Sequence, residues 1–127
     1  MLRLLILLLL PFILFAYSEE RVKSNLSTDY AECAAYYMIS AGGVKELNKE
    51  LEKKSNSLAL KMFENSILFS NEKTAKSRVI LYMEEQKKEM DYHYSNFSRL
   101  MLKYGNFCKE LYENPEQRIK YWHNKKD

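Results

Sequence analysis

The stretch Asp29–Ala41 is the most apolar part of the chain after its first residues, and only Asp29 and Glu32 carry a charge there. Its apolar residues cover nearly every side of a helical wheel, which is typical of a buried helix. Thr28 or Asp29 suits the N-cap position, with Glu32 as the capping-box partner of Asp29. Gly42–Gly43 is expected to end this first helix.

Two further stretches place apolar residues at helical spacing, each on one narrow stripe. A second helix is predicted over about 44–69, and a third from 74 or 75 to about 111, with a bend at Gly105–Asn106. The stripe of the second helix is Leu47, Leu51, Leu58, Met62 and Phe69. The stripe of the third is Ala75, Val79, Tyr82, Gln86, Met90, His93, Phe97, Leu100, Tyr104, Phe107 and Leu111.

These stripes predict an all-α fold. Two long helices can bury their stripes against each other, so we expect the second and third helices to form an antiparallel two-helix hairpin. The first helix packs beside it, and Asn114 as N-cap with Pro115 at the first helical position predicts a short C-terminal helix. Residues 17–28 are polar and predicted to be a flexible segment, so 29–127 forms the single helical domain.

The first 16 residues have the pattern of a secretory signal peptide. Arg3 makes the start basic, Leu4–Phe15 is apolar, and the small residue Ala16 precedes a polar stretch. We therefore expect cleavage after Ala16 and export to a periplasmic or extracellular location. The alternative is an uncleaved membrane anchor, although the apolar run is shorter than the ~20 residues that a spanning helix needs.

The two cysteines, Cys33 and Cys108, are predicted to form a disulfide. In an exported chain an even number of cysteines is most simply paired. Folding the hairpin at about residue 73 brings the first helix and the segment 107–112 to the same end of the molecule. The cysteines lie in these two segments, so the bond would tether the first helix to the end of the third.

The charges argue against a nucleic-acid partner. The formal net charge is +3, from 20 Lys+Arg against 17 Asp+Glu. Removal of the signal peptide takes away Arg3 and leaves 19 Lys+Arg against the same 17 acidic residues, or +2. Both signs are interspersed, which is typical of a solvated surface and unlike the clustered basic face of a nucleic-acid-binding protein.

Neither histidine has the neighbours that catalysis or metal binding requires. His93 follows Glu89 by one helical turn, but a di-iron site needs Glu-x-x-His on each of two helices, and no second copy exists. We interpret His93 as a residue of the apolar stripe, hydrogen-bonded to a tyrosine or a carbonyl. His123 has no identifiable orienting partner, and no nucleophile or phosphate-loop motif occurs. We expect no catalytic residues, no metal, no cofactor and no enzymatic activity.

The hairpin can cover only part of the first helix, so an apolar patch should remain on it. Tyrosine is a favoured interface residue, and the patch suits a protein partner or a second copy of the chain. The predicted function is therefore a small exported protein-interaction or structural accessory factor. The predicted patch consists of Tyr36, Tyr37, Met38 and Ile39.

Two alternative functions remain open. One is a small-ligand carrier or sensor, with a pocket among Tyr36, Tyr37, His93 and Phe97. The other is an accessory protein tethered to a membrane by an uncleaved Leu4–Phe15. An exposed apolar patch favours protein binding, whereas an enclosed cavity onto which tyrosine hydroxyls converge favours ligand binding.

Overall fold

The computed structural model describes residues 17–125, in which all regular structure is helical. The all-α prediction is confirmed for these residues, whereas the predicted signal peptide 1–16 lies outside them. A 3₁₀ turn at Tyr94–Asn96 and a π-helical segment at Met101–Gly105 flank the short fourth helix. The helices are α1 (Glu19–Val44), α2 (Lys49–Leu68), α3 (Glu72–Glu89), α4 (Phe97–Leu100), α5 (Asn106–Glu113) and α6 (Pro115–Asn124).

Helix α1 begins ten residues earlier than predicted, at Glu19, so the prediction of a flexible segment over 17–28 is wrong. The Ser18 side chain accepts a hydrogen bond from the backbone N–H of Arg21 at 3.2 Å and caps the helix. Val22 and Leu26 are 1% and 2% exposed, and full burial of such a side chain contributes roughly 1.5–3 kcal/mol. This burial extends the helix towards the N-terminus.

Helix α1 is the central element, because both α2 and α3 pack mainly against it and contact each other much less. The predicted two-helix hairpin, in which α2 and α3 bury their stripes mutually, is therefore not confirmed. The start of the stripe predicted for the second helix lies on the surface. Leu47, in the turn before α2, is 83% exposed and Leu51 is 42% exposed, whereas Met62 is fully buried. The stripe of α3 is buried, including Val79 and Gln86, but it faces α1.

Small side chains line the contact between α1 and α2. Ala31, Ala34 and Ala35 are 0% exposed, as are Ser27 and Ser66. The Ser27 hydroxyl donates to the carbonyl oxygen of Ser66 at 2.9 Å, and the Ser66 hydroxyl donates to that of Ser27 at 2.8 Å. Both buried hydroxyls therefore have a hydrogen-bond acceptor, as buried polar groups in folded proteins generally do.

The third predicted helix is not continuous, because α3 ends at Glu89. Asp91 and Tyr92 have φ values of 51° and 59°, in the left-handed region that few residues other than glycine adopt. The Asn96 side-chain amide donates to the carbonyl oxygen of Met90 at 2.9 Å and satisfies the end of the helix. The turn places His93 on the surface, so its interpretation as a buried stripe residue is wrong.

The predicted disulfide between Cys33 and Cys108 is confirmed. It joins α1 to α5 with a Cα–Cα distance of 5.4 Å, and both cysteines are 0% exposed. The surrounding core contains residues from all helices from α1 to α5, among them Met62 and Leu100. The bond therefore lies inside the core that the helices share.

Helix α6 folds back onto α1, and Pro115 opens it as predicted. The Arg118 guanidinium donates from Nε and Nη2 to the two carboxylate oxygens of Asp29, at 2.7 and 3.3 Å. The Trp122 indole N–H donates to the same carboxylate at 2.6 Å. Charge-assisted bonds of this kind are stronger than neutral ones, so Asp29 fastens the C-terminal helix to the centre of the fold.

Candidate binding site between helices α1, α2 and α5

A half-open pocket with a volume of about 430 Å³ lies where α1, α2 and α5 meet. We call it the tyrosine–lysine pocket. The residues from α2 and those from α5 follow the same spacing, i, i+3 and i+4, which places each set on one helix face. The pocket is lined by Tyr37 from α1, by Lys54, Ser57 and Leu58 from α2, and by Lys109, Tyr112 and Glu113 from α5.

The disulfide holds two walls of this pocket together. Cys33 lies one helical turn before Tyr37 in α1, and Cys108 directly precedes Lys109 in α5. Because the bond is buried next to both walls, the position of α5 on α1 is fixed covalently. A pocket that is formed before its ligand arrives loses less conformational entropy on binding.

Tyr37 supplies a hydroxyl that stays protonated at neutral pH. Burial raises its pKa to about 12, and the nearby Tyr36 and Glu113 side chains add to the shift. Its ring contacts that of Tyr36 edge to face, with 5.2 Å between the centroids. Within residues 17–125 this hydroxyl has no hydrogen-bond partner, so it is available as a donor to a bound group.

The two lysines of the pocket have no carboxylate within ion-pair distance among the described residues, whereas other lysines of the chain do. Lys103 lies 3.0 Å from a carboxylate oxygen of Glu89, and Lys49 lies 3.7 Å from one of Glu52. Lys61 does not line the pocket, but it lies over the ring of the pocket residue Tyr112, with 5.4 Å between its Nζ and the ring centroid. The pocket thus combines apolar surface with positive charge.

The structure separates the residues of the predicted interaction patch. Tyr36 is 7% and Ile39 is 2% exposed, and both belong to the core. Tyr37 and Met38 are half-buried. Of the four residues, only Tyr37 lines the tyrosine–lysine pocket.

The pocket predicted for a small ligand is also not assembled as expected. Tyr36 stacks on Phe97 with 5.8 Å between ring centroids, but this contact is part of the core. His93 lies on the surface in the turn after α3. The prediction therefore identified Tyr37 but not the lysines. It placed the segment 107–112, with Lys109, beside the first helix, but it packed the second helix, with Lys54, against the third instead of against α1.

A second, more open cleft of about 400 Å³ lies beside Asp29 and Glu32. Its cations are already paired, since Arg118 binds Asp29 and Lys103 binds Glu89. Burial raises the pKa of Glu32, and the neighbouring charge of Asp29 adds to the effect. The internal pairing makes this cleft a weaker candidate than the tyrosine–lysine pocket.

The described residues hold no group of three or more His, Cys, Asp or Glu that could bind a metal ion. His123 lies on the surface, with its Nδ1 3.5 Å from a carboxylate oxygen of Glu19. None of the helices between residues 17 and 125 is long and apolar enough to cross a membrane.

Comparison with known protein families, curated proteins and solved structures found no match to this chain.

Proposed function

We propose that this chain is a small exported, non-enzymatic binding protein and that the tyrosine–lysine pocket holds its ligand. The observation that supports this is a pre-formed, half-open cavity of about 430 Å³ at the junction of three helices. Binding pockets for small molecules are typically about 300–1,000 Å³, largely apolar, with a few polar groups that fix orientation. Leu58 and the rings of Tyr37 and Tyr112 offer apolar surface, and the lysines offer the polar groups.

The proposed export is supported by the first 16 residues and by the disulfide. Disulfides persist in oxidising compartments outside the cytoplasm, which agrees with the signal-peptide pattern over 1–16. Protein recovered from outside the cytoplasm should have the intact mass of a chain that begins at Tyr17. Retention of Met1 would instead support the uncleaved membrane anchor.

Ligand binding is tested with N-phenyl-1-naphthylamine, a neutral apolar probe whose fluorescence rises in an apolar site. The wild type should bind it at one saturable site. Ser57 is exposed and lines the pocket, so Ser57→Trp should fill the cavity without disturbing the core and should weaken binding at least about tenfold.

The matched control is Ser77→Trp, an exposed serine of α3 that does not line the pocket. It should bind the probe like the wild type, with unchanged circular dichroism in both variants. Absence of saturable binding by the wild type contradicts the proposed function. Equal binding by Ser57→Trp and Ser77→Trp places the site elsewhere.

A second candidate function, association with another copy of the chain, is favoured by apolar side chains on α2 and α3. Leu60, Ile80 and Leu81 are 57%, 55% and 55% exposed, and a second copy of the chain would cover them. Sedimentation over a range of concentrations should then show a dimer that Leu60→Glu dissociates. A monomer at every concentration contradicts this second candidate.

A further inference from the structure

We infer that the ligand of the tyrosine–lysine pocket is an amphiphilic anion, an apolar group that ends in one carboxylate or sulfonate. The inference deepens the proposed function and rests on it. It is supported by the distribution of charge and of hydrogen-bond donors around the cavity.

The first support is the arrangement of Lys54 and Lys109, which reach the same cavity from α2 and α5. Each has an acidic residue one helical turn away, Glu50 before Lys54 and Glu113 after Lys109. Such i, i+4 pairs commonly interact on a helix surface. Neither pair lies within ion-pair distance among the described residues, so both ammonium groups are available to a ligand anion.

The second support is the predominance of hydrogen-bond donors. A lysine ammonium has only donor hydrogens, and the hydroxyls of Tyr37, Ser57 and Tyr112 can each donate one. The protonated Tyr37 hydroxyl has no acceptor within the described residues. An anionic oxygen matches this set, because it accepts several charge-assisted hydrogen bonds at once.

The third support is the apolar part of the cavity. The side chain of Leu58 and the rings of Tyr37 and Tyr112 line it next to the lysines. A fully hydrated inorganic anion would leave this surface in contact with water, whereas an aliphatic or aromatic group would cover it. The same molecule should therefore carry both an apolar part and the anion.

Among the residues described, Glu113 is the one carboxylate that lines the pocket, and its charge opposes that of the ligand. It leaves the pocket with a net positive charge of one from two lysines and one glutamate. Such a balance suits a ligand with a single negative charge. Removal of the Glu113 charge should accordingly strengthen binding.

The test compares two probes with the same aromatic skeleton. One is the anion 1-anilinonaphthalene-8-sulfonate, and the other is its uncharged counterpart N-phenyl-1-naphthylamine. In Lys54→Gln/Lys109→Gln, the dissociation constant of the anionic probe should rise at least about tenfold, and that of the neutral probe should change less than about twofold. Glu113→Gln should lower the dissociation constant of the anionic probe about two- to fivefold.

The matched control is Lys76→Gln/Lys120→Gln, which removes the same charge from two exposed lysines outside the pocket. It should leave the affinity for both probes near that of the wild type. If the two probes are affected equally by Lys54→Gln/Lys109→Gln, the inference is overturned but the binding function stands. If the wild type does not bind N-phenyl-1-naphthylamine at one saturable site, or if Ser57→Trp does not weaken that binding, the proposed function itself fails.

Discussion

The Cys33–Cys108 disulfide allows the most quantitative prediction about stability. The two cysteines are 75 residues apart, so the bond closes most of the described chain into one loop. The loop-entropy relation for unfolded chains gives a loss of about 15 cal/mol/K for this length, or about 4.5 kcal/mol near room temperature. Since small domains are stable by only about 5–15 kcal/mol in total, reduction should remove a large share of the free energy of unfolding.

The assay is urea denaturation of oxidised and reduced wild type, followed by far-ultraviolet circular dichroism. Reduction keeps both sulfur atoms in the core. The difference in the free energy of unfolding between oxidised and reduced protein therefore measures the contribution of the cross-link. Cys33→Ala/Cys108→Ala should lose more stability than reduction, because it also empties two fully buried sulfur positions. Both the reduced protein and the double alanine variant should keep their helical content at low temperature. A difference of less than about 1 kcal/mol between oxidised and reduced protein would show that loop closure contributes little to the stability of this fold.

Three further predictions concern single side chains. Asp29→Asn should lower the free energy of unfolding by about 1–3 kcal/mol, because it weakens the charge-assisted bonds that hold the C-terminal helix. Urea denaturation followed by the fluorescence of the one tryptophan measures this, and Asp91→Asn, in an exposed ion pair, is the control and should cost less than about 1 kcal/mol. Because burial raises the pKa of Glu32, its contribution to stability is present at acid pH and lost as the pH rises through the raised pKa. Glu32→Gln should therefore raise Tm at neutral pH and change it little at acid pH, and an equal change at both would contradict the burial argument. Ile39→Ala should cost about 2–5 kcal/mol in urea, since Ile39 is 2% exposed, and a loss of less than about 1 kcal/mol would show that it is not a core residue.

Much of the helical content and the disulfide could be predicted from sequence. Scarce glycine and proline and apolar residues at helical spacing indicate helices, and two cysteines allow only one intramolecular pairing. The sequence pattern does not predict the start of α1 at Glu19, because residues 17–28 are polar overall. Val22, Leu26 and Tyr30 nevertheless recur every four residues behind the cap at Ser18, and this spacing carried the signal.

The sequence contains no comparable signal for the break after α3. The apolar stripe continues past Met90, and the left-handed residues Asp91 and Tyr92 are neither glycine nor asparagine. Tertiary contacts decide this turn, since the Tyr94 ring lies against Gly42 and Gly43 at the end of α1. Sequence periodicity reports which face of a helix is buried but not where the chain changes direction.

The tyrosine–lysine pocket could not be predicted because it depends on which helix packs against which. Lys54 lies between Lys53 and Ser55, and Lys109 precedes Glu110, so both look like ordinary surface lysines in the sequence. They share a cavity only because α2 and α5 both pack around α1. Tyr37 was predicted as a contact residue from its place on the apolar first helix, and it lines the pocket.

Nuclear magnetic resonance shows whether the tyrosine–lysine pocket binds an amphiphilic anion. The backbone amide signals of the ¹⁵N-labelled chain are followed while decanoate is added. We expect one saturable site, with the largest shifts at Ser57, Lys109 and Tyr112 and small shifts at the exposed apolar residues Leu60 and Ile80. Shifts centred on Leu60 and Ile80, or no saturable shifts at all, would contradict it.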